Sequence, residues 1–150
     1  MVTQTLTLVQ DVESDKILPL YDFTDDGSVG RSLITTIWQL TPTTVVFGSY
    51  PAGIYVSDVR QPSTIVQRGV ISGPPSSDQA TPLCIRNRGV KAENFIVCGR
   101  FPSVLSYDLR AGLSVCGSVY SGAESLSSMT PVGRDRVIVA GSYRGNSAFL

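Results

Sequence analysis

Residues 45–60 read VVFGSYPAGIYVSDVR and residues 96–110 read IVCGRFPSVLSYDLR. Aligned with a single-residue gap, Gly48 meets Gly99, Pro51 meets Pro102, Asp58 meets Asp108 and Arg60 meets Arg110. The opening half returns at 137–143 as VIVAGSY. Self-similarity at a fixed period marks a repeat architecture, so this stretch decides the fold.

Each Asp closes an apolar run, and a second apolar run follows a short polar turn. TLTLVQD (5–11) leads into ILPLYDF (17–23), IYVSDVR into TIVQRGV (64–70), and VLSYDLR into LSVCGSV (113–119). Asp11, Asp58 and Asp108 therefore recur at intervals of 47 and 50 residues. Two further runs stand between successive aspartates: SLITTIWQL (32–40) and TTVVFGS, then PLCIRN (82–87) and FIVCGR. SLSSMTPV (125–132) and RVIVAGS (136–142) begin the pattern again. These runs are rich in β-branched and aromatic residues and bounded by Gly, Pro and Asp, which predicts strands. No window carries the i, i+3, i+4, i+7 stripe of an amphipathic helix.

The class is all-β, in consecutive four-stranded antiparallel units. Their expected limits are 1–31 for the end of one unit, 32–70 and 82–119 for two whole ones, and 125–150 for a truncated one. ISGPPSSDQAT (71–81) reads as an exposed, flexible loop, because two prolines remove ladder donors there. The runs VVF, FIV and VIV are continuous instead of alternating, as expected of strands buried on both faces.

Four strands per unit, a Gly-Ser before a turn and an apolar strand ending in Asp-x-Arg resemble the WD-repeat family of β-propellers. The resemblance implies stacked blades, protein partners and a place in a larger complex. An aromatic residue precedes Asp only at Tyr107; Gln10 and Ser57 stand at the other two places. The chain has no His, so that family's Asp–His network cannot form. Asp11, Asp58 and Asp108 are instead expected to cap turns through backbone donors. Propellers have about four to eight blades, so some three blades leave a ring incomplete, and open sheet edges invite either further blades or self-association.

Composition bounds the chemistry. The chain has 150 residues, 42% of them hydrophobic and 16% charged, with zero formal net charge; that balance belongs to a folded domain. No run is long enough to span a membrane, and the acidic start lacks the form of a signal peptide. An intracellular protein, cytoplasmic or nuclear, is the expectation. Bases are scattered singly, which does not favour a nucleic-acid surface. Cys84, Cys98 and Cys116 sit at irregular spacing in apolar or small-residue runs and are read as small buried residues.

Without His, neither a Ser-His-Asp nor a Cys-His arrangement is possible, and no phosphate loop or metal tetrad is visible. DFTDDG (22–27) matches early places of a calcium loop but has Leu33 where the bidentate Glu belongs, so a turn reads better. No catalytic, cofactor-binding or metal-binding residue is assigned. Tyr50, Arg100, Phe101, Tyr143 and Arg144 follow the repeated glycines on turns and are the candidate partner contacts, since aromatic and Arg side chains dominate interface energetics. The function expected is a non-catalytic protein-interaction scaffold. The alternative is a carbohydrate-binding propeller assembled from short chains; Trp38, within an apolar strand, is read as a core residue, although a sugar-stacking role would look the same in sequence. A propeller-type enzyme would need convergent carboxylates near the channel.

Overall fold

The computed structural model describes residues 6–11, 16–22, 33–61, 65–71, 80–89, 93–120, 125–132, 136–140 and 148–149. A hairpin of β1 (Leu6–Asp11) and β2 (Lys16–Asp22) comes first, with Asp11 opposite Lys16. Sheet I contains β3 (Leu33–Gln39), β4 (Thr44–Tyr50), β5 (Gly53–Asp58) and β6 (Ile65–Val70) in chain order. Sheet II repeats the arrangement with β7 (Pro82–Asn87), β8 (Asn94–Gly99), β9 (Phe101–Asp108) and β10 (Ser114–Tyr120). Sheet III has β11 (Ser128–Val132), β12 (Arg136–Ala140) and the short β13 (Ala148–Phe149). All pairings are antiparallel. Asp58 and Asp108 each close the third strand of their sheets, so the repeat in the sequence is a repeat in space.

The first strands stand side by side, β3 against β7 and β7 against β11, which stacks the sheets face to face. That stacking explains the unbroken apolar runs. In β8, Phe95 and Val97 turn into the seam with sheet I, while Ile96 and Cys98 turn into the seam with sheet III. Both faces are dry, so neither needs a polar residue. β4 does the same: Val46 enters the I–II seam, and Val45 and Phe47 join Tyr55 on the opposite face. Each large apolar side chain fully removed from water contributes about 1.5–3 kcal/mol.

Two cross-strand aromatic pairs fill corresponding sides of successive sheets. Phe47 stacks on Tyr55 with ring centroids 5.5 Å apart, and Phe95 on Tyr107 at 5.2 Å. The Tyr107 hydroxyl is buried and has no hydrogen-bond partner among the described residues. Burial pushes its pKa up to about 12, because the phenolate would lose its water.

Glycine decides how closely the strands approach. A Cβ on Gly48 would lie 2.5 Å from the ring of Pro82 in the next sheet and 2.9 Å from Thr36. One on Gly99 would lie 1.9 Å from the Thr81 carbonyl oxygen. Polar links pin the same seam: the Thr35 hydroxyl donates to the Pro82 carbonyl, and the Trp38 indole N–H to Asn87 Oδ1. Asn87 Nδ2 in turn donates to the Leu40 carbonyl at 3.2 Å.

Two expectations need correcting. The ends of the stretch read as an exposed loop are buried: Ile71, Ala80 and Thr81 are at most 4% exposed. The Ile71 N–H donates to the Ala52 carbonyl and the Arg100 N–H to the Thr81 carbonyl, so both ends belong to the packed seam. Cys116 is exposed and not buried. It is the extra residue of a bulge in the outer strand β10, between Val115 and Gly117, and such a residue has no interior to face.

Gly48→Ala and Gly99→Ala are expected to destabilise by about 1–3 kcal/mol, the usual cost of overpacking. Gly117→Ala, whose new methyl meets nothing closer than 3.7 Å, should be near neutral. Urea midpoints of the three variants check this. Tyr107→Phe keeps the stack and removes an orphaned hydroxyl, so it should be neutral or up to about 1 kcal/mol more stable by the same measurement.

Candidate protein-interaction site

The stacked sheets present two ends. At one end lie the Asp-x-Arg turns. Asp58 Oδ1 accepts from the Arg60 N–H at 3.0 Å and from Arg60 Nε at 2.9 Å, while Oδ2 takes Nη2. Asp108 repeats this with Arg110 at 2.9, 3.1 and 2.7 Å. The following residues tie each turn to its neighbour: the Val59 N–H donates to Thr43 and the Leu109 N–H to Glu93, at 2.9 and 3.0 Å. In sheet II the turn continues as a 3-10 segment, Leu109–Ala111, ended by left-handed Gly112. Arg60 and Arg110 are 69% and 63% exposed, so the ion pairs are well screened and shape the turn more than they stabilise the fold. The Arg60 guanidinium holds the Asp58 carboxyl at about 2 through its side-chain hydrogen bonds, with the Arg60 N–H adding to the effect. Asp108 in turn raises the Arg110 pKa. Asp11 occupies the end of β1, opposite Lys16; what its side chain meets lies outside the described residues.

The other end carries the candidate contacts. Tyr50 closes β4, and the chain turns through a cis Tyr50–Pro51 bond and Ala52 at φ 48° before β5. Tyr50 and Pro51 are exposed. In register with them stand Leu33, opposite Tyr50, and Val70, opposite Gly53. Leu33 is 52% and Val70 is 70% exposed. On the next sheet Arg100 alone forms the reversal between Gly99 and Phe101, and it too is exposed. Tyr50 and Arg100 thus occupy corresponding turns of adjacent sheets.

Phe101 does not join them. It is 4% exposed and belongs to the apolar seam between sheets I and II. The reversal before it uses one residue, so Phe101 is already the first residue of β9 and turns inward. Tyr143 and Arg144 lie outside the described residues. Trp38 is unsuited to stacking on a sugar: the Arg86 guanidinium lies 4.3 Å over its ring and its N–H is engaged by Asn87. Leu33 and Val70 had no signal in the sequence, since an apolar residue at the end of a strand looks the same whether the strand ends in a seam or in water. Among the described residues, no group of three or more Cys, Asp or Glu could hold a metal ion, and no helix is long and apolar enough to cross a membrane.

No family model matches the chain, and no curated protein matches it in sequence. Solved structures do match it in shape. It overlays a chain in the crystal structure of the mitotic checkpoint complex with a TM-score of 0.72 at 13% identity, covering 92% of this chain and 38% of that one. It overlays the WD40 β-propeller domain of Doa1 with a TM-score of 0.65 at 14% identity, covering 99% of this chain and 49% of that one. The fold is therefore that of consecutive WD-like propeller blades, and the chain spans less than half the length of these two neighbours.

The depressed carboxyl of Asp58 carries a pH signature. Its folded pKa lies below the ordinary value of 3.8, so the stabilisation is present above about pH 4 and is lost as pH falls toward 2. Asp58→Asn should lower the thermal midpoint at neutral pH and narrow its gap to wild type as acid is added. A carboxyl NMR titration placing Asp58 near 3.8 would contradict this.

Proposed function

We propose that this chain is a non-catalytic protein-interaction scaffold that contacts its partner through Leu33, Tyr50, Pro51, Val70 and Arg100. The observation that carries the reading is the contrast within one blade. Apolar side chains are buried on both faces of β4 and β5, yet Leu33, Tyr50 and Val70 at the rim are left in water at 52%, 38% and 70% exposure. Exposed apolar groups along one rim, with an Arg at the corresponding turn of the next sheet, suit a protein interface, because Tyr and Arg give large contact area and directed hydrogen bonds. One of the two structural neighbours is a chain of the mitotic checkpoint complex, which supports the same reading. Protein partners inside the cell, in the cytoplasm or nucleus, are the setting proposed. Tyr143 and Arg144 of the following blade are proposed to extend the same rim, on the strength of the repeat alone.

A photo-reactive amino acid placed at Tyr50 in the cell of origin should give discrete adducts with another protein. The same residue placed at Gln61, exposed at the opposite end, should not. Arg100→Glu should abolish the adduct without moving the thermal midpoint, and Tyr50→Ala should weaken binding of the captured partner about tenfold or more. Identical adducts from both positions, or an adduct indifferent to Arg100→Glu, would defeat the proposal. Saturable binding of an oligosaccharide lost in Tyr50→Ala would favour the carbohydrate reading.

A further inference from the structure

The seam between sheets II and III holds a feature that the scaffold reading does not use. Cys84 in β7 and Cys98 in β8 are direct cross-strand partners. They are 4% and 0% exposed and share one apolar cluster with Ile96, Val104, Leu126 and Met129. Neither is in a disulfide. Residues directly opposed on antiparallel strands have Cα atoms about 4.5–5.5 Å apart, and a disulfide accepts a Cα separation of about 4.4–6.8 Å. The backbone therefore already has the spacing a bond between them needs.

The two thiols also influence each other's acidity. The neighbouring Cys98 thiol lowers the Cys84 pKa, with the Arg86 charge helping. Cys98 is pushed up, by Cys84 first and by burial as well. A thiolate beside a second thiol is the arrangement that oxidants convert to a disulfide, because the second sulfur resolves the first product.

We propose that Cys84 and Cys98 form an oxidisable dithiol site, taking a cross-strand disulfide when a hydroperoxide enters the seam between sheets II and III. The Cys84 thiol gives up its proton as its sulfur attacks one peroxide oxygen, the O–O bond breaks, and Cys84 becomes a sulfenic acid as the leaving hydroxide takes up that proton. The Cys98 sulfur then attacks the Cys84 sulfur; the S–S bond forms, the S–O bond breaks and water departs with the Cys98 proton. Two thiols and one hydrogen peroxide give one disulfide and two waters, with two electrons passing from sulfur to oxygen. Leu126 and Met129 cover the pair. The Leu126 N–H is tied to the Gly99 carbonyl at 2.7 Å, and the Cys84 thiol donates to the Met129 carbonyl at 3.9 Å. Access therefore needs this part of sheet III to lift, a local opening short of unfolding. Oxidation at this site then records whether sheet III is seated on sheet II.

The test uses the full chain carrying Cys116→Ser, which removes the exposed thiol. Under graded hydrogen peroxide, thiol titration and peptide mapping should show Cys84 and Cys98 disappearing together. The product should have lost two hydrogens, join the two peptides and return to thiols with dithiothreitol. Adding Cys84→Ser should leave the Cys98 thiol intact at the same dose, and Leu126→Ala should speed the joint loss several-fold. The proposal is overturned if one cysteine gains oxygen while the other stays a thiol. It is equally overturned if both thiols survive doses that link them in urea-unfolded chain, or if Cys98 oxidises as fast without Cys84.

Discussion

A four-stranded sheet with apolar side chains on both faces cannot stand alone in water, and the rest of this structure depends on how that constraint is met. Each sheet covers one face of the next. The I–II seam joins Val46, Ile54 and Val56 to Ile85, Phe95 and Leu105, so neither sheet owns its core. Close approach is the condition for this, and Gly48, set against Pro82 of the following sheet, supplies it. A few directed hydrogen bonds then choose one alignment among those that apolar contact alone would permit. Thr35 to Pro82 and Trp38 to Asn87 are the clearest, since each crosses from sheet I to sheet II.

The division of labour between the two ends of the stack follows from turn chemistry. At the Asp-x-Arg end the chain satisfies itself: the carboxylate caps its own turn, and the succeeding N–H is bound to the adjacent turn. At the opposite end the backbone is tied as well, Arg100 N–H to Thr81 and Ile71 N–H to Ala52, but the Tyr50 and Arg100 side chains are left to solvent. A rigid stack with one closed and one open rim can present a surface to a partner at little cost in ordering entropy.

Much of the fold was legible in the sequence because turns and doubly buried strands demand particular residue types. Asp58 and Asp108 are visible as repeats since a carboxylate two residues before a backbone donor caps a turn. FIVC and VVF are visible as doubly buried strands because a strand between two sheets loses its polar face. The rim was only half legible. Tyr50 and Phe101 align, yet one is exposed and the other buried, because sheet I reverses through Tyr50, Pro51 and Ala52 while sheet II reverses through Arg100 alone. The longer reversal keeps Tyr50 at the turn, whereas the one-residue reversal makes Phe101 the first residue of β9, buried in the seam. Cys116 was misread for a related reason: a bulge carries it out of the alternation. The Trp38–Arg86–Asn87 contacts join residues 48 and 49 positions apart, and such pairing across a seam leaves no local trace.

The outermost strand of sheet II is exposed at six of its seven positions, whereas β8 is buried at five of six. Tolerance for mutation must follow the same slope, tight at the middle strands and lax at the circumference. Drift over long lineages would rewrite the periphery first and swap one hydrocarbon for another within. That is how a chain can share about one residue in eight with another and still trace the same path through space.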